Sequence, residues 1–206
     1  RAIETLQNAD LIVCEDTRVT KKLLSHFIIQ KTCISFHSHN QDEQKIKILS
    51  LLREGKNLAL VTDAGTPGIS DPGLELVSFI RKNIQENEIK VEAIPGPSAL
   101  VAGISIAGVP CADFLFLGFL PHKKGRQTLF GEIANSQRTV IFYESPHRIQ
   151  KTIDSLIEFC ADKRVTICRE LTKIHEEVVS GKAVELKEFF EKNPEKVRGE
   201  FVVFVD

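Results

Sequence analysis

The sequence predicts an α/β fold with largely parallel sheets, divided into two domains. Short apolar runs such as Leu58–Thr62 alternate with amphipathic helical patterns along almost the whole chain. The runs are apolar at nearly every position, which is typical of strands covered on both faces. A break with Gly and Pro at 108–113 separates residues 1–109 from residues 110–206, and we predict that these are the two domains.

The first domain alternates short strands with helices. Its strands are predicted from apolar and β-branched runs over Leu11–Cys14, Thr32–His37, Leu58–Thr62 and Lys90–Ile94. Its helices are predicted over 2–9, between Asn40 and Gly55, over 72–83 and over 97–107, with Asn40 as a cap. Helix 2–9 follows no strand, and the chain begins at Arg1 and contains no Met. We therefore expect that a segment preceding residue 1 is missing.

The second domain continues the alternation. Strands are predicted over Phe114–Leu120, Thr139–Tyr143, Arg164–Cys168 and Glu200–Val205. Helices are predicted over Pro146–Cys160 and Val184–Phe190, since their apolar residues recur every three to four positions. The stretch LPHKKGRQ (120–127) is expected to form an exposed basic loop.

Composition excludes some classes of protein. The chain has 206 residues, of which 42% are hydrophobic and 27% charged, with a formal net charge of −1. These values are those of a globular protein, and nothing global requires a nucleic-acid or membrane partner. No apolar run is long enough to span a membrane, and no signal-peptide pattern is present. The five scattered Cys residues are expected to be small buried side chains in a reducing compartment.

The loop after Leu58–Thr62 has an unusual composition. The stretch LALVTDAGTPGISDPG (58–73) is rich in Gly and contains two Asp, and no Lys or Arg occurs between Leu58 and Arg81. Neither a P-loop nor a GxGxxG pattern is present. Two carboxylates without a cation do not suit a phosphate. They suit a ligand with hydroxyls, amines or a positive centre.

Further polar residues follow neighbouring predicted strands. The carboxyl ends of parallel strands share one edge of a sheet, so we expect a group of loop residues to converge there. The group consists of Asp63, Gly65, Thr66, Gly96 and Ser98. Glu15, Asp16 and Arg18 follow another strand, where a helix cap with a local ion pair is an equally good interpretation. For any one of these loops, an ordinary turn between strand and helix remains the alternative.

A metal site and a serine hydrolase are both disfavoured. His37 and His39 share one face of a strand end, with His26 preceding them, but no further ligand is identifiable. No G-x-S-x-G nucleophile elbow occurs. We therefore predict no metal.

The second half carries charge at its strand ends. FYESPHR (142–148) and CRELTK (168–173) place acidic and basic residues there, and Lys123, Lys124 and Arg126 lie in the basic loop. A basic rim of this kind suits an RNA backbone. Ordinary solvated charge is the alternative interpretation of each residue.

These stretches, taken together, resemble a known family. EDTR (15–18), VTDAGTPGISDPG (61–73), PGPSA (95–99), GFLP (118–121), FYESPHR (142–148), RELTK (169–173) and GE (199–200) occur in order. The chain resembles, over essentially its whole length, the ribosomal RNA small-subunit methyltransferase I family. That family is a branch of the tetrapyrrole-methylase-like, class III methyltransferases that depend on S-adenosylmethionine.

The resemblance implies a fold and an activity. The fold is two α/β domains, the second with a mixed sheet, and a cofactor cleft between them. The activity is 2′-O-methylation of a cytidine in the decoding region of small-subunit ribosomal RNA, in a bacterial cytoplasm and by a homodimer. Family members open with a strand and a TPIGN-type loop that forms one wall of the cleft, and this chain begins just after that position.

The resemblance also implies site residues. The cofactor positions are Asp63, Gly65, Thr66, Pro67, Gly96, Ser98, Ala99 and Tyr143. RNA is expected to contact Lys123, Lys124, Arg126 and Arg148. Asp16 or Glu144 is the candidate base, and Lys173 or Arg18 the candidate stabiliser of a developing alkoxide.

Other functions remain open at this point. A small-molecule tetrapyrrole or corrinoid methylase would share PGPSA, although YESPHR, RELTK and the basic loop argue against it. A non-catalytic α/β module, such as a receiver-like domain, is the alternative outside enzymes, and cofactor binding would separate it from the methyltransferase because a receiver should bind none. A catalytically inactive relative that binds RNA also remains open.

Overall fold

The computed structural model describes residues 1–37, 40–85 and 88–206. The chain divides into two compact units, Arg1–Ser98 and Ala99–Asp206. One unit contains a parallel sheet and the other a mixed sheet, which confirms the predicted fold class. The division falls earlier than the predicted boundary at 109, because the helix that begins at Ala99 packs against strands of the second unit.

The first unit is a three-stranded parallel sheet with helices around it, in the strand order β2-β1-β3. Its strands are β1 (Leu11–Cys14), β2 (Thr32–Ser35) and β3 (Leu58–Val61). Its helices are α1 (Ala2–Asn8), α2 (Thr17–His26), α3 (Gln41–Arg53) and α4 (Gly73–Asn83). Since the strands are parallel, the segments that follow them all leave the sheet at one edge.

The central strand of this sheet is buried on both faces, as its uniformly apolar sequence predicts. Ile12 packs into a cluster with Leu6 and Leu24 from α1 and α2. Its neighbour Val13 points to the other face and packs with Ile48 from α3 and other buried side chains. Successive strand residues point to opposite faces, so a strand covered on both sides must be apolar at every position.

The predicted strand Lys90–Ile94 is not a strand. None of the described strands pairs with it, and Val91 is exposed. An extended segment becomes a strand only when a neighbour satisfies its backbone groups. In the sheet that the structure describes, β3 is an edge strand that pairs only with β1. The apolar pattern therefore predicted an element for which no described strand provides a partner.

The second unit contains a five-stranded mixed sheet in the order β4-β5-β8-β6-β7. Its strands are β4 (Phe114–Phe119), β5 (Thr139–Glu144), β6 (Arg164–Arg169), β7 (Glu177–Lys182) and β8 (Phe201–Val205). Its helices are α5 (Ala99–Ala107), α6 (Arg126–Asn135), α7 (Ile149–Phe159) and α8 (Ala183–Lys192), with a 3-10 turn at Pro194–Lys196. β4 runs parallel to β5, and β8 runs antiparallel to both β5 and β6.

The sequence patterns did not predict β7 and α6. β7 is an edge strand whose residues alternate between half-buried and exposed, and its sequence EVVSGK contains a Gly. α6 carries Gly131 in its interior and begins with Arg126, so its start looks like part of a basic loop. Both elements are held mainly by packing against their neighbours, which a local pattern does not report.

The core of the second unit lies on both faces of β8. Phe204 and Val202 pack towards α5, whereas Phe201, Val203 and Val205 belong to the larger cluster beneath α6, α7 and α8. All five residues of β8 are buried. Within the residues that the structure describes, no helix is long and apolar enough to cross a membrane.

The cysteines are free thiols. Cys14, Cys160 and Cys168 are buried, and Cys33 and Cys111 are half-buried. Burial raises the pKa of Cys168 to about 11, so this thiol is protonated at neutral pH. The three buried cysteines are therefore packing residues, as the sequence predicts.

Candidate functional site

The loops after β1 and β3 meet at the carboxyl edge of the first sheet. The backbone N–H of Asp16 donates a hydrogen bond to Oδ1 of Asp63 over 3.1 Å. Because β1 and β3 are adjacent and parallel, this contact joins residues 47 positions apart in the chain. We call Glu15, Asp16 and Asp63 the acidic edge.

The DAGTP and PGPS loops are joined as well. The hydroxyl of Thr66 donates a hydrogen bond to the carbonyl of Pro97 over 2.9 Å. The other predicted cofactor positions on these loops are Gly65, Pro67, Gly96 and Ser98, and Ala99 begins α5 in the second unit. The DAGTP and PGPS loops are therefore in contact, although the PGPS loop does not follow a described strand as predicted, and a role for these residues in cofactor binding stays a prediction.

Asp71, the second carboxylate of the loop, has a structural role. Its carboxylate accepts hydrogen bonds from the backbone N–H groups of Gly68 and Gly73, the latter over 2.5 Å. It thereby holds the turn that leads into α4. Asp63 is the carboxylate of this loop that remains exposed.

The acidic edge has a negative potential. The pKa of Glu15 is raised, first by burial and then by the carboxylates of Asp63 and Asp71. Burial is the largest cause of this shift, and the neighbouring carboxylates add to it because like charges disfavour ionisation. This edge therefore favours a cation or hydroxyl donors and disfavours a phosphate, which agrees with the composition of the loop.

The carboxylate of Asp16 is hydrogen-bonded to the start of its own helix and to the side chain of Arg18. Its Oδ1 accepts the backbone N–H of Arg18 over 2.8 Å, which caps α2, and its Oδ2 lies 2.6 Å from Nη2 of Arg18. These hydrogen bonds lower the pKa of Asp16 to about 2. A carboxylate with so low a pKa is a weak base at neutral pH, so the position does not favour the predicted role as general base.

We expect Arg18→Gln to raise the pKa of Asp16 towards its ordinary value of 3.8, because the Arg18 side chain is the largest cause of the shift. Because the pKa of Asp16 is lower in the folded state than in the unfolded state, its ionisation stabilises the fold at pH values above the unfolded-state pKa. That contribution is lost as the pH falls towards about 2. In the variant this contribution should be smaller at neutral pH, because the folded-state pKa then lies closer to the unfolded value.

The measurement is a carbon-detected NMR titration of the Asp16 carboxyl group in the wild type, in Arg18→Gln and in the control Arg53→Gln. An unchanged midpoint in Arg18→Gln would show that the backbone N–H groups of α2 hold the carboxylate without help from the guanidinium.

Four chain segments meet at one edge of the second sheet. Strands β5 and β6 both end beside Phe201, since Glu144 and Arg169 are its register partners on either side. β4 ends at the same edge because it is parallel to β5. The segments 120–125, 145–148, 170–176 and 199–200 therefore lie together, and we call them the motif edge. The topology thus brings the sequence stretches GFLP, YESPHR, RELTK and GE into one place.

Glu144 lies beneath the motif edge. Its side chain is fully buried, and Oε1 accepts the backbone N–H of Ser145 over 2.9 Å and lies 3.2 Å from Nε of Arg148. Its Oε2 accepts the hydroxyl of Thr152 over 2.6 Å. A carboxylate without exposed surface is poorly placed to take a proton from a substrate, so the geometry does not favour its predicted role as base.

Two of the predicted RNA-binding arginines point inwards. The prediction that Arg126 lies in an exposed loop is wrong: it begins α6 and is 7% exposed, with its guanidinium over the ring of Phe130. The side chain of Arg148 is 16% exposed and pairs with Glu144. Lys123 and Lys124 are exposed, as predicted.

Lys173 is held between two carboxylates. Its Nζ lies 2.8 Å from Oε1 of Glu170 and 3.0 Å from Oε2 of Glu200. These hydrogen bonds raise its pKa, so the side chain is a stable cation. Glu200 and Thr152 were not among the predicted site residues. The GE stretch is a signal for the first, whereas nothing local marks the second.

Tyr143 has a structural contact in this structure. Its hydroxyl accepts the backbone N–H of Leu100 in the first turn of α5 over 3.1 Å. Its ring packs edge-on against Phe116 and Phe119. A helix start has unpaired N–H groups, so this hydroxyl completes α5. Its predicted contact with a cofactor stays a prediction.

Among the described residues, no group of three or more His, Cys, Asp or Glu could hold a metal ion. His39, one of the histidines that the sequence analysis considered, lies outside the described residues.

Comparison with known proteins identifies relatives of the whole chain. Residues 1–187 match the family described as Tetrapyrrole (Corrin/Porphyrin) Methylases. Ribosomal RNA small subunit methyltransferase I of Thermotoga maritima is 42% identical over 98% of this chain and 89% of its own length. The protein of the same name from Synechocystis sp. is 45% identical, over 100% of this chain and 72% of its own length.

Solved structures share the fold. Uroporphyrin-III C-methyl transferase from Thermus thermophilus, complexed with S-adenosyl homocysteine, has a TM-score of 0.60 and 15% sequence identity. The alignment covers 98% of this chain and 88% of that one. At this identity the likeness concerns the fold alone.

Proposed function

Because the chain belongs to the tetrapyrrole (corrin/porphyrin) methylases and, within them, to the ribosomal RNA small subunit methyltransferase I family, we propose that it methylates small-subunit ribosomal RNA with S-adenosylmethionine. The observation that carries the proposal is the 42% identity to a protein of that name along 98% of the chain. We further propose that the target is the 2′-oxygen of a cytidine in the decoding region, that the enzyme acts in the bacterial cytoplasm, and that it is a homodimer.

The acidic edge fits the proposed cofactor. S-adenosylmethionine has a sulfonium cation, an ammonium group and ribose hydroxyls, and when bound it supplies an activated methyl group. The exposed carboxylate of Asp63 can accept hydrogen bonds from hydroxyl or ammonium donors. Gly65, with a φ of 75°, lets the backbone of the loop approach a ligand closely. Glu15 and Asp63 lie close enough at this edge for their charges to interact, and two neighbouring carboxylates attract a cation.

The motif edge supplies the cations for RNA. Lys123 and Lys124 are exposed and pair well with phosphates. Lys173 and Arg18 are the two candidate stabilisers of a developing alkoxide, and both are cations paired with carboxylates, Lys173 with Glu170 and Glu200 and Arg18 with Asp16. Beyond these charges, the chain has to align the reacting oxygen and exclude water, which is the main source of rate in a methyl displacement.

Methyl transfer tests the proposal directly. The full chain is incubated with S-adenosylmethionine carrying a radioactive methyl group and with unmethylated small subunits, free ribosomal RNA or a porphyrin precursor in separate reactions. We expect label in the ribosomal RNA, located at one nucleotide by alkaline cleavage, since a 2′-O-methyl group blocks cleavage at its 3′ side. Label only in the porphyrin precursor would favour a small-molecule methylase. Cofactor binding without label in any substrate would favour a non-catalytic module.

We expect Lys123→Gln with Lys124→Gln to weaken RNA binding and to flatten its salt dependence. Each lost phosphate contact should lower the slope of log K against log salt by about 0.7 on single-stranded RNA. The measurement is fluorescence anisotropy with an RNA fragment at several salt concentrations. Lys187→Gln with Lys192→Gln, on exposed residues of α8, is the control with the same change in charge. Equal slopes in the two double variants would place the RNA elsewhere.

A further inference from the structure

Two arginines donate hydrogen bonds to the backbone of one segment of the motif edge. Nη2 of Arg148 donates to the carbonyl of Leu120 over 2.6 Å, and Nη1 of Arg126 donates to the carbonyl of Pro121 over 3.2 Å. These carbonyls are consecutive and belong to the segment 120–125, which is the part of the predicted basic loop (120–127) that precedes α6, and from here on the name basic loop refers to this segment. Lys123 and Lys124 extend from this loop into solvent.

A buried carboxylate and a buried hydroxyl connect the two arginines. Glu144 pairs with Arg148 through Oε1 and accepts the hydroxyl of Thr152 through Oε2. The oxygen of that hydroxyl in turn accepts a hydrogen bond from Nη2 of Arg126 over 2.8 Å. Glu144 is 1% exposed and Thr152 is 0% exposed. The four side chains therefore form a continuous network from β5 and α7 to the basic loop.

The network is a costly way to stabilise a fold. Arg148 pairs with the carboxylate of Glu144 directly, Arg126 reaches it only through the hydroxyl of Thr152, and Nε of Arg126 is buried with no hydrogen-bond partner among the described residues. Burial, together with the charge of Arg148, lowers the pKa of Arg126, which shows that the arginine is not fully compensated. Apolar side chains of similar volume often stabilise such a site better than buried ions. What apolar side chains lack is a directional donor for two particular carbonyls.

We propose that Glu144 and Thr152 are positioning residues, which hold the basic loop through Arg148 and Arg126 and so place Lys123 and Lys124 against the RNA. That the basic loop binds RNA rests on the proposed function, whereas the statement that the network fixes the position of the loop does not. The network thereby gives the YESPHR stretch a role that requires no contact with substrate. In this role Glu144 acts through the two arginines and is not the group that takes the proton from the substrate.

Limited digestion with trypsin tests whether the network fixes the basic loop, and it requires no assay of activity. Trypsin cleaves after Lys, so the bonds after Lys123 and Lys124 report opening of the basic loop, and the bond after Lys192 at the end of α8 reports opening of the whole unit. Thr152→Val is isosteric and removes both hydrogen bonds, whereas Thr152→Ser keeps the hydroxyl. Glu144→Gln keeps the shape and removes the charge.

We expect Thr152→Val and Glu144→Gln to be cleaved after Lys123 and Lys124 about tenfold faster than the wild type, with Thr152→Ser close to the wild type. A tenfold change corresponds to about 1.4 kcal/mol in the opening equilibrium. Cleavage at Lys192 should change much less. The proposal is overturned if the loop bonds keep their wild-type rate. It is equally overturned if cleavage at Lys192 rises in parallel, because the network would then stabilise the unit as a whole.

Steady-state kinetics separates positioning from proton transfer. For a positioning residue, Glu144→Gln should raise the KM for the RNA substrate more than it lowers kcat, and the pH dependence of kcat should keep its shape. A fall in kcat of about 10²–10⁴-fold with a changed pH profile is the result expected of a general base and would overturn the proposal. If the wild type transfers no methyl group, the proposed function fails, and the digestion experiment still decides whether the loop is held.

Discussion

Replacing Asp63 by alanine is expected to weaken binding of S-adenosylhomocysteine by about 10- to 100-fold while leaving the fold intact. A hydrogen bond to a charged group contributes about 1.5–3 kcal/mol, and about 1.4 kcal/mol is a factor of ten in affinity. Asp63 is exposed, and among the described residues its carboxylate accepts one hydrogen bond, from the backbone N–H of Asp16. Isothermal titration calorimetry measures the loss.

A second substitution separates the two roles of Asp63. Asp63→Asn removes the charge but keeps an oxygen that can accept the N–H of Asp16. It therefore tests whether the negative charge attracts the cofactor, while the hydrogen bond between the two loops is retained. Removal of the charge by either substitution should also lower the pKa of Glu15, since Asp63 is one of the causes that raise it. Glu54→Gln, at the end of α3, is the control. Wild-type affinity in Asp63→Ala would exclude Asp63 from the cofactor site.

Gly199→Ala is expected to destabilise the second unit by about 2–4 kcal/mol, from a strained backbone and a lost charged hydrogen bond. Gly199 has a φ of +84°, and a Cβ there would collide with the side chain of Glu170. That side chain accepts the backbone N–H of Glu200 over 3.1 Å and holds Lys173. Alanine would therefore strain the backbone and displace the carboxylate that positions the lysine. Chemical denaturation measures the free energy of unfolding.

Gly108→Ala is the matched control for this prediction. Gly108 also has a positive φ, of +67°, but a Cβ there would meet nothing within 4 Å. Its substitution should cost only the backbone strain, about 1–2 kcal/mol. Equal losses in the two variants would mean that Glu170 moves aside without consequence. The activity of Gly199→Ala should also fall if Lys173 stabilises the developing alkoxide.

The order of the elements and the family could be predicted from local sequence. Uniformly apolar runs predicted the strands β1, β3 and β8, because a strand covered on both faces cannot carry polar residues. The composition of the DAGTP loop, with two carboxylates and no cation, argued against a phosphate cradle, and its use for a cofactor stays a prediction. Patterns of this kind are local, so a short window of sequence contains the whole signal.

Elements that depend on their neighbours could not be predicted in this way. β7 forms because β6 offers it a partner, although its own sequence is only partly apolar. The segment Lys90–Ile94 shows the converse, since its apolar residues have no described partner strand. Pairing is a property of two segments together, and the pattern of one of them does not report it.

The direction of the charged side chains was decided by the tertiary structure alone. By itself, the sequence determined an α/β protein of a methyltransferase family, with an acidic Gly-rich loop and basic residues near 123–126. It did not distinguish Arg126, which is buried, from Lys123 and Lys124, which are exposed. Arg126 is buried because Thr152, 26 residues away, offers it an acceptor. A buried charge needs such a partner, and only the folded chain brings the partner to it.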